Sequence, residues 1–342
     1  MSRFSRAAVF GKFWPLHVGH LRLISEAVAQ ADRVLVVVDD GDEDVPVSTR
    51  VAWLSEEFPT AEVTTAPDLC GHDTTECTDG CSEAYASWLV GAHGGTDAVF
   101  SAEPYGDRLA SYLGAASVRI DRQHPRAAGR EIRSDPAAHW DLLSAPARAW
   151  YCRRVVVVGA ESTGTTTLAA DLAEHIGTIW APEYGRQFSL EHGLDHPWTT
   201  EDFTVIAREQ ASLEDSAARR SSPVLVCDTD VLATSVWHER YMGRRSPVVE
   251  LMAASRRPHL YILTANDIPF VQDGLRDGEH LRGWMTERFR EVLAGTRVPW
   301  IEVRGDRHER VEQAVRAIEE RLGESWLCRR PEVANNIDCE QI

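Results

Sequence analysis

Short apolar runs alternate with amphipathic stretches along nearly the whole chain. Residues 7–13 (AAVFGKF) and 34–38 (VLVVV) have the character of strands buried on both faces. Between them, Leu21, Ile24 and Val28 recur at i, i+3 and i+7, which predicts a helix. The alternation continues with predicted helices at 47–57, 82–92 and 105–113 and strands at 97–101 and 117–120. Residues 134–150 interrupt it with two prolines, which places a domain boundary there. A second series opens with a strand at 154–158, a glycine-rich turn and a helix over 165–176 stopped by Gly177. Further strands are expected at 224–227, 259–263 and 299–303, and helices at about 199–220, 279–295 and 306–322. Strands alternating with helices predict α/β architecture with parallel sheets.

Composition narrows the class. With 43% apolar and 26% charged residues, the 342-residue chain is ordinary globular protein. A net charge of −17 argues against nucleic acid or an anionic membrane as partner. No apolar run reaches the length of a membrane span, and the first residues lack a signal peptide's apolar core. Seven scattered cysteines suit a reducing compartment. A soluble, cytoplasmic protein is expected, and a homo-oligomer is allowed. Of 36 basic residues, one alone is lysine, Lys12. Any chemistry that demands a lysine has a single place to find it.

Lys12 lies in Gly11-Lys12-Phe13-Trp14-Pro15-Leu16-His17-Val18-Gly19-His20, between the first strand and the first helix. Such a turn brings His17 and His20 to a helix N-terminus, where unpaired N–H groups and the dipole already favour an anion. The pattern resembles the G-x-F-x-P-x-x-x-G-H signature of the nucleotidyltransferase superfamily. That superfamily's second motif, similar to I-S-x-T-x-x-R, has its counterpart in 127–133 (AAGREIR). There Arg133 matches the terminal arginine, while Ala128 and Arg130 replace the two hydroxyl residues.

The second turn, Gly159-Ala160-Glu161-Ser162-Thr163-Gly164-Thr165-Thr166, has the strand–loop–helix setting of a phosphate-binding loop. Gly159, Glu161, Ser162, Thr163, Gly164, Thr165, Thr166 and Thr167 are candidates to surround ATP phosphates, and Thr166 fits the hydroxyl that ligates Mg²⁺. Thr165 stands where the pattern has lysine. Downstream, Asp228-Thr229-Asp230 follows an apolar strand, as a Mg²⁺-holding carboxylate does in such proteins. Glu183, Tyr184 and Arg186 fit the acceptor side, and Arg276, with Arg282 beyond it, fits an arginine-bearing lid.

Taken together, GKFWPLHVGH, SAEPYG (101–106), DPAAHW (135–140), GAESTGTTT, APEYGR, CDTD and QDGLR resemble NadR-type proteins over about residues 6–323. The resemblance implies a Rossmann-like nucleotidyltransferase domain (1–150), then a P-loop kinase domain (151–328) and a polar tail (329–342). It implies phosphorylation of nicotinamide riboside to nicotinamide mononucleotide, then adenylyl transfer from ATP to give NAD and pyrophosphate. His17 and His20 would contact the transition-state phosphate, with Gly11, Lys12, Phe13 and Arg133 at ATP. Thr166 and Asp228 would manage Mg²⁺, and Glu183 or Asp230 would take the hydroxyl proton. Arg186 and Arg276 would supply the charge absent at Thr165. Two other readings remain: a nucleotidyltransferase with an inert P-loop half, and a non-catalytic sensor of NAD or ATP.

Three features stand apart. Cys70, His72, Cys77 and Cys81 offer four soft ligands within twelve residues, enough for structural Zn²⁺. The acidic run Asp39, Asp40, Asp42, Glu43 and Asp44 reads as a solvated loop. Trp53 or Trp88 is a candidate to stack on a nicotinamide ring.

Overall fold

The computed structural model describes residues 2–41, 43–69, 78–121, 129–193, 195–272, 274 and 278–327. Two compact units divide the chain, Met1–Ala147 and Arg148–Ile342. Among the described residues, no helix is long and apolar enough to cross a membrane.

The first unit is built on five parallel strands: β1 (Phe4–Gly11), β2 (Ala31–Asp40), β3 (Glu62–Pro67), β4 (Ala98–Ser101) and β5 (Ala116–Arg119). Their order is β3-β2-β1-β4-β5, so the chain reverses its direction of travel between β1 and β4. Such a switch point opens a crevice at the strands' carboxyl ends, where α/β ligands bind. Helices α1 (Val18–Gln30), α2 (Val47–Glu57), α3 (Asp79–His93) and α4 (Tyr105–Leu113) are followed by the short α5 (Gly129–Ser134). The core forms where Ala8, Phe10, Leu35, Val37 and Val99 meet Ala86, Leu89 and Leu109 from α3 and α4. Gly106 is obligatory here, because a Cβ would come within 2.2 Å of the Ser101 Cβ. α6 (Ala145–Tyr151) straddles the division between the units.

The second unit repeats the plan with β6 (Arg153–Gly159), β7 (Trp180–Ala181), β8 (Val224–Asp228), β9 (Leu260–Thr264) and β10 (Trp300–Val303), in the order β10-β9-β6-β8-β7. The strand pairs are again parallel. β6 is central, and Val155–Val158 are almost wholly buried, as a strand covered on both faces must be. Its helices are α7 (Thr165–Ile176), α8 (Tyr184–His192), α9 (Thr200–Ala218), α10 (Val231–Met242), α11 (Pro247–Ala254), α12 (Arg282–Ala294) and α13 (Arg307–Leu322). α7 packs Leu168, Leu172 and Ile176 on β6 and β8, and α13 adds Ala314, Ala317 and Ile318.

Candidate functional site

In the first unit, the turn from β1 to α1 emerges at the switch point. His17 is the N-cap of α1, and its Nδ1 accepts the Gly19 N–H at 3.1 Å. An Nδ1 that accepts cannot carry the ring proton, so the neutral ring presents its donor at Nε2. The His20 ring stacks on His17 at 3.8 Å and meets Phe13 edge-on at 5.1 Å. Arg133 reaches the same turn from α5. Its guanidinium lies 3.9 Å over the Trp14 ring and donates to the Trp14 carbonyl at 2.7 Å. Leu143 and Ser144 close the turn from outside, through a bridge to His17 and a bond from the Ser144 N–H to the Leu16 carbonyl.

Two members of the acidic run, Asp39 and Glu43, turn inward, while Asp40 and Asp44 are exposed as expected. Arg50, fully buried on α2, donates to the carbonyls of Val45, Lys12 and Asp39 and to Glu43 Oε2 at 3.0 Å. Glu43 Oε1 pairs with Lys12 Nζ at 3.0 Å, and the Glu43 side chain is 3% exposed. A buried guanidinium cannot remain unpaired without a large desolvation cost, and Glu43 is folded inward to meet it. Burial opposes the Lys12 charge, but the bond to Glu43 and the fields of Glu43, Asp39 and Asp68 outweigh it and hold the amine above its ordinary range. Burial and the neighbouring Asp68 push the Asp39 carboxyl up to about 6. Asp42 lies outside the described residues.

In the second unit, the loop after β6 curls round the N-terminus of α7. Gly159 has no room for a Cβ, which would lie 2.2 Å from Thr264 Oγ1, and Gly164 is left-handed at φ +84°. Thr163 points inward, bonded to the Ala160 carbonyl and Thr264, so it braces the loop rather than facing a ligand. Arg310 of α13 supports the loop from behind, donating to the Thr163 and Ala265 carbonyls and pairing with Asp267. Thr166 Oγ1 donates to Asp228 Oδ2 at 2.6 Å. The other oxygen, Oδ1, is buried with no hydrogen-bond partner. Burial pushes the Asp228 carboxyl up, against the bonds from Thr166 and Thr165 and the charge of Arg186. Thr167 is exposed on the first turn of α7.

Glu161 and Ser162 turn outward to hold the segment before α12. Glu161 pairs with Arg240 of α10 at 2.6 Å and accepts the Gly278 N–H at 2.7 Å. Ser162 Oγ accepts the Val271 N–H at 2.7 Å, and Arg282 donates to the Ser162 and Ile268 carbonyls. Asp273 and Arg276 fall outside the described residues.

An open cleft runs from this loop to the N-terminal half of α9. Glu161, Ser162, Thr165 and Thr166 of the loop line it together with Glu183, Arg186, Trp198, Trp237 and Tyr241. The Trp198 and Tyr241 rings lie 4.9 Å apart. Asp230 does not line it. Its Oδ1 caps α10 by accepting the Ala233 N–H, and its Oδ2 accepts the Tyr261 hydroxyl at 2.6 Å. Below the cleft, burial and the charge of Asp230 push the Glu214 carboxyl up to about 7, against Arg256.

Phe13, Ser162 and Thr229 are the non-glycine residues with left-handed backbone among the described residues. Phe13 and Ser162 lie in these turns and Thr229 follows β8 beside Asp228, positions of the kind where strain is characteristically stored. The motifs assemble as two clusters, Gly11–His20 with Arg133, and the loop after β6 with Asp228, Glu183 and Arg186; the Tyr184 side chain packs instead against the cluster of Phe188, Phe203 and Ile206. Trp53 is buried on α2, and Trp88 packs against the first unit's core. The aromatic wall belongs instead to Trp198, Trp237 and Tyr241, which no single short motif marks. Cys81 is disulfide-bonded, and a sulfur so engaged has no thiolate for zinc. Cys70, His72 and Cys77 lie outside the described residues.

Fold and site define a two-unit α/β protein that joins a nucleotidyltransferase-like turn to a phosphate-binding loop. Residues 154–310 match the family described as "AAA domain". The trifunctional NAD biosynthesis/regulator protein NadR of Salmonella typhimurium strain LT2 is 28% identical, over 92% of this chain and 83% of the relative. Its Escherichia coli K12 counterpart is 29% identical, over 78% and 70%. A crystal structure of NadR protein in complex with NR superposes with a TM-score of 0.74 at 22% identity, covering 94% of this chain and 98% of the other. A second, in complex with NAD and AMP-PNP, gives 0.72 with the same coverage. The chain is thus similar to NadR over most of its length and shares its fold.

Proposed function

We propose that the protein makes NAD from nicotinamide riboside in two ATP-dependent steps, one in each unit. The observation that carries the reading is the shared cleft of the second unit. A phosphate-binding loop, a carboxylate, an arginine and an aromatic wall line it together. A riboside fits that arrangement with its flat cationic ring against Trp198, Trp237 or Tyr241 and its 5′-hydroxyl towards the loop. Glu183 takes the hydroxyl proton as the new O–P bond forms and the bond to the ADP oxygen breaks. Asp230 is unsuited to that task, because both its oxygens are engaged away from the cleft. Arg186, with Arg276, replaces the lysine charge absent at Thr165.

Mg²⁺ fits the oxygen donors present. The buried, unpartnered Asp228 Oδ1 and the adjoining Thr166 hydroxyl would hold it. When bound, the ion neutralises charge on the β- and γ-phosphate oxygens.

In the first unit, the phosphate of nicotinamide mononucleotide attacks the α-phosphorus of ATP, and pyrophosphate leaves. His17 and His20 donate to the oxygens on which charge develops, while Lys12 and Arg133 hold the triphosphate. Both steps draw on the cytoplasmic nucleotide pool. The test is a paired assay with ATP and Mg²⁺, one arm given nicotinamide riboside and the other nicotinamide mononucleotide. Product in both arms is expected. Product in the second alone would reduce the P-loop unit to an inert partner, and tight binding without product in either would mark a sensor.

A further inference from the structure

The first turn of α8 has its cap supplied from another helix. A helix begins with N–H groups that have no partner inside it, and the side chain of the N-cap residue ordinarily satisfies one of them. Here the N-cap is Glu183, and its side chain makes no such bond. The Tyr184 N–H donates instead to Gln210 Oε1 at 2.8 Å, from the middle of α9. The remaining half of the Gln210 amide donates from Nε2 to Glu214 Oε1 at 3.4 Å. Gln210 is wholly buried, and Glu214 is 2% exposed.

The amide has no freedom to turn over. Reversed, its NH₂ would face the Tyr184 N–H and its oxygen would face a carboxylate. Glu214 is itself fixed, since Oε2 accepts from Arg256 at 3.1 Å. Arg256 in turn grips Asp215 with two bonds, at 2.8 and 2.9 Å, and Arg154 holds Asp215 from β6 at 3.0 Å. The chain of contacts thus runs from the central strand of the sheet to the peptide between Glu183 and Tyr184.

The Glu183 carboxylate folds over the same turn. A Cβ built on Gly185 would sit 3.4 Å from Glu183 Oε1 and 3.7 Å from Ile206 of α9. Arg186 follows one residue later, and Glu183, Gly185, Arg186 and Gln210 all line the cleft. Any shift of the Tyr184 peptide therefore moves the carboxylate and the arginine together.

We propose that Gln210 is a positioning residue for phosphoryl transfer: by capping α8 from α9, it sets Glu183 and Arg186 in register with the phosphate-binding loop. Its amide is wholly buried and bonded to Tyr184 and Glu214, so it acts through Glu183. The proposal rests on the riboside kinase reading of the cleft.

The experiment uses the full-length protein and three variants, Gln210→Leu, Gln210→Glu and the exchange Gln210→Glu with Glu214→Gln. Gln210→Leu removes the acceptor, and Gln210→Glu sets two carboxylates against each other. The exchange keeps an acceptor for Tyr184 and restores one donor between positions 210 and 214 of α9. Hydrogen exchange at the Tyr184 amide reads the cap directly, without reference to activity. We expect Gln210→Leu to lose amide protection there, and both single variants to lower kcat for riboside phosphorylation about 10- to 100-fold, the cost of a misplaced reacting group. The KM for ATP should stay within about twofold, and the exchange should recover most of both losses. A merely structural role would move the ATP KM and the riboside kcat together. Lost protection with an undiminished kcat overturns the positioning role alone. Wild-type protein that phosphorylates no riboside overturns the reading of the cleft, and the positioning role with it.

Discussion

Asp39 shows how a single side chain bears on both stability and chemistry. Its Oδ1 is buried without a partner at the end of β2, beside the turn that carries Lys12. The folded chain holds its proton up to about pH 6, above the ordinary 3.8. A carboxyl that binds its proton more tightly when folded stabilises the fold at low pH. That contribution is present below the unfolded value and is lost as pH rises through about 6. Asp39→Asn, which keeps an acceptor but no charge, should therefore make the first unit more stable at pH 7.5. It should also flatten the stability profile between pH 4 and 7 relative to the wild type. Urea denaturation at both pH values measures it, and parallel profiles for the two proteins would contradict the assignment.

At the scale of elements, α13 supports the phosphate-binding loop from behind. Its capping box joins Asp306 and Glu309 in both directions, and the next residue is Arg310, the buried brace behind Thr163. Asp306→Ala should cost about 1 kcal/mol. Thermal unfolding of the second unit should fall by roughly 2–4 °C, and an unchanged midpoint would show the cap to be idle. Much of this layer was legible in advance. The helices at 47–57 and 165–176 fall where periodicity, prolines and glycines put them. β3 escaped because Glu62–Pro67 is an edge strand, largely exposed and without an apolar run, and β7 because it is two residues long. The phosphate-binding turns were legible because backbone conformation dictates their residue types. Glu43, Arg50 and Gln210 were not, because their roles depend on pairings across 7 to 38 positions that leave no local period. The same holds for the aromatic wall, assembled from the loop before α9 and from α10.

For the whole molecule, two sheets with separate cores imply separable chemistry. His20→Ala should abolish NAD formation from the mononucleotide and leave riboside phosphorylation within about twofold. Asp228→Asn should do the reverse. Loss of both activities in a protein that remains folded would refute independence of the two sites. The net charge of −17 also takes on a different meaning, since cations are gathered where the turns need them. Glu43 pairs with both Arg50 and Lys12, and the fields of Asp39 and Asp68 also reach the Lys12 ammonium. That ammonium is the only side-chain amine in the protein. An acylating reagent, or an enzyme that modifies lysine, has one side chain to find anywhere on this surface. A label placed there becomes a reporter for a single unit of a two-unit protein, with no lysine elsewhere to blur its signal.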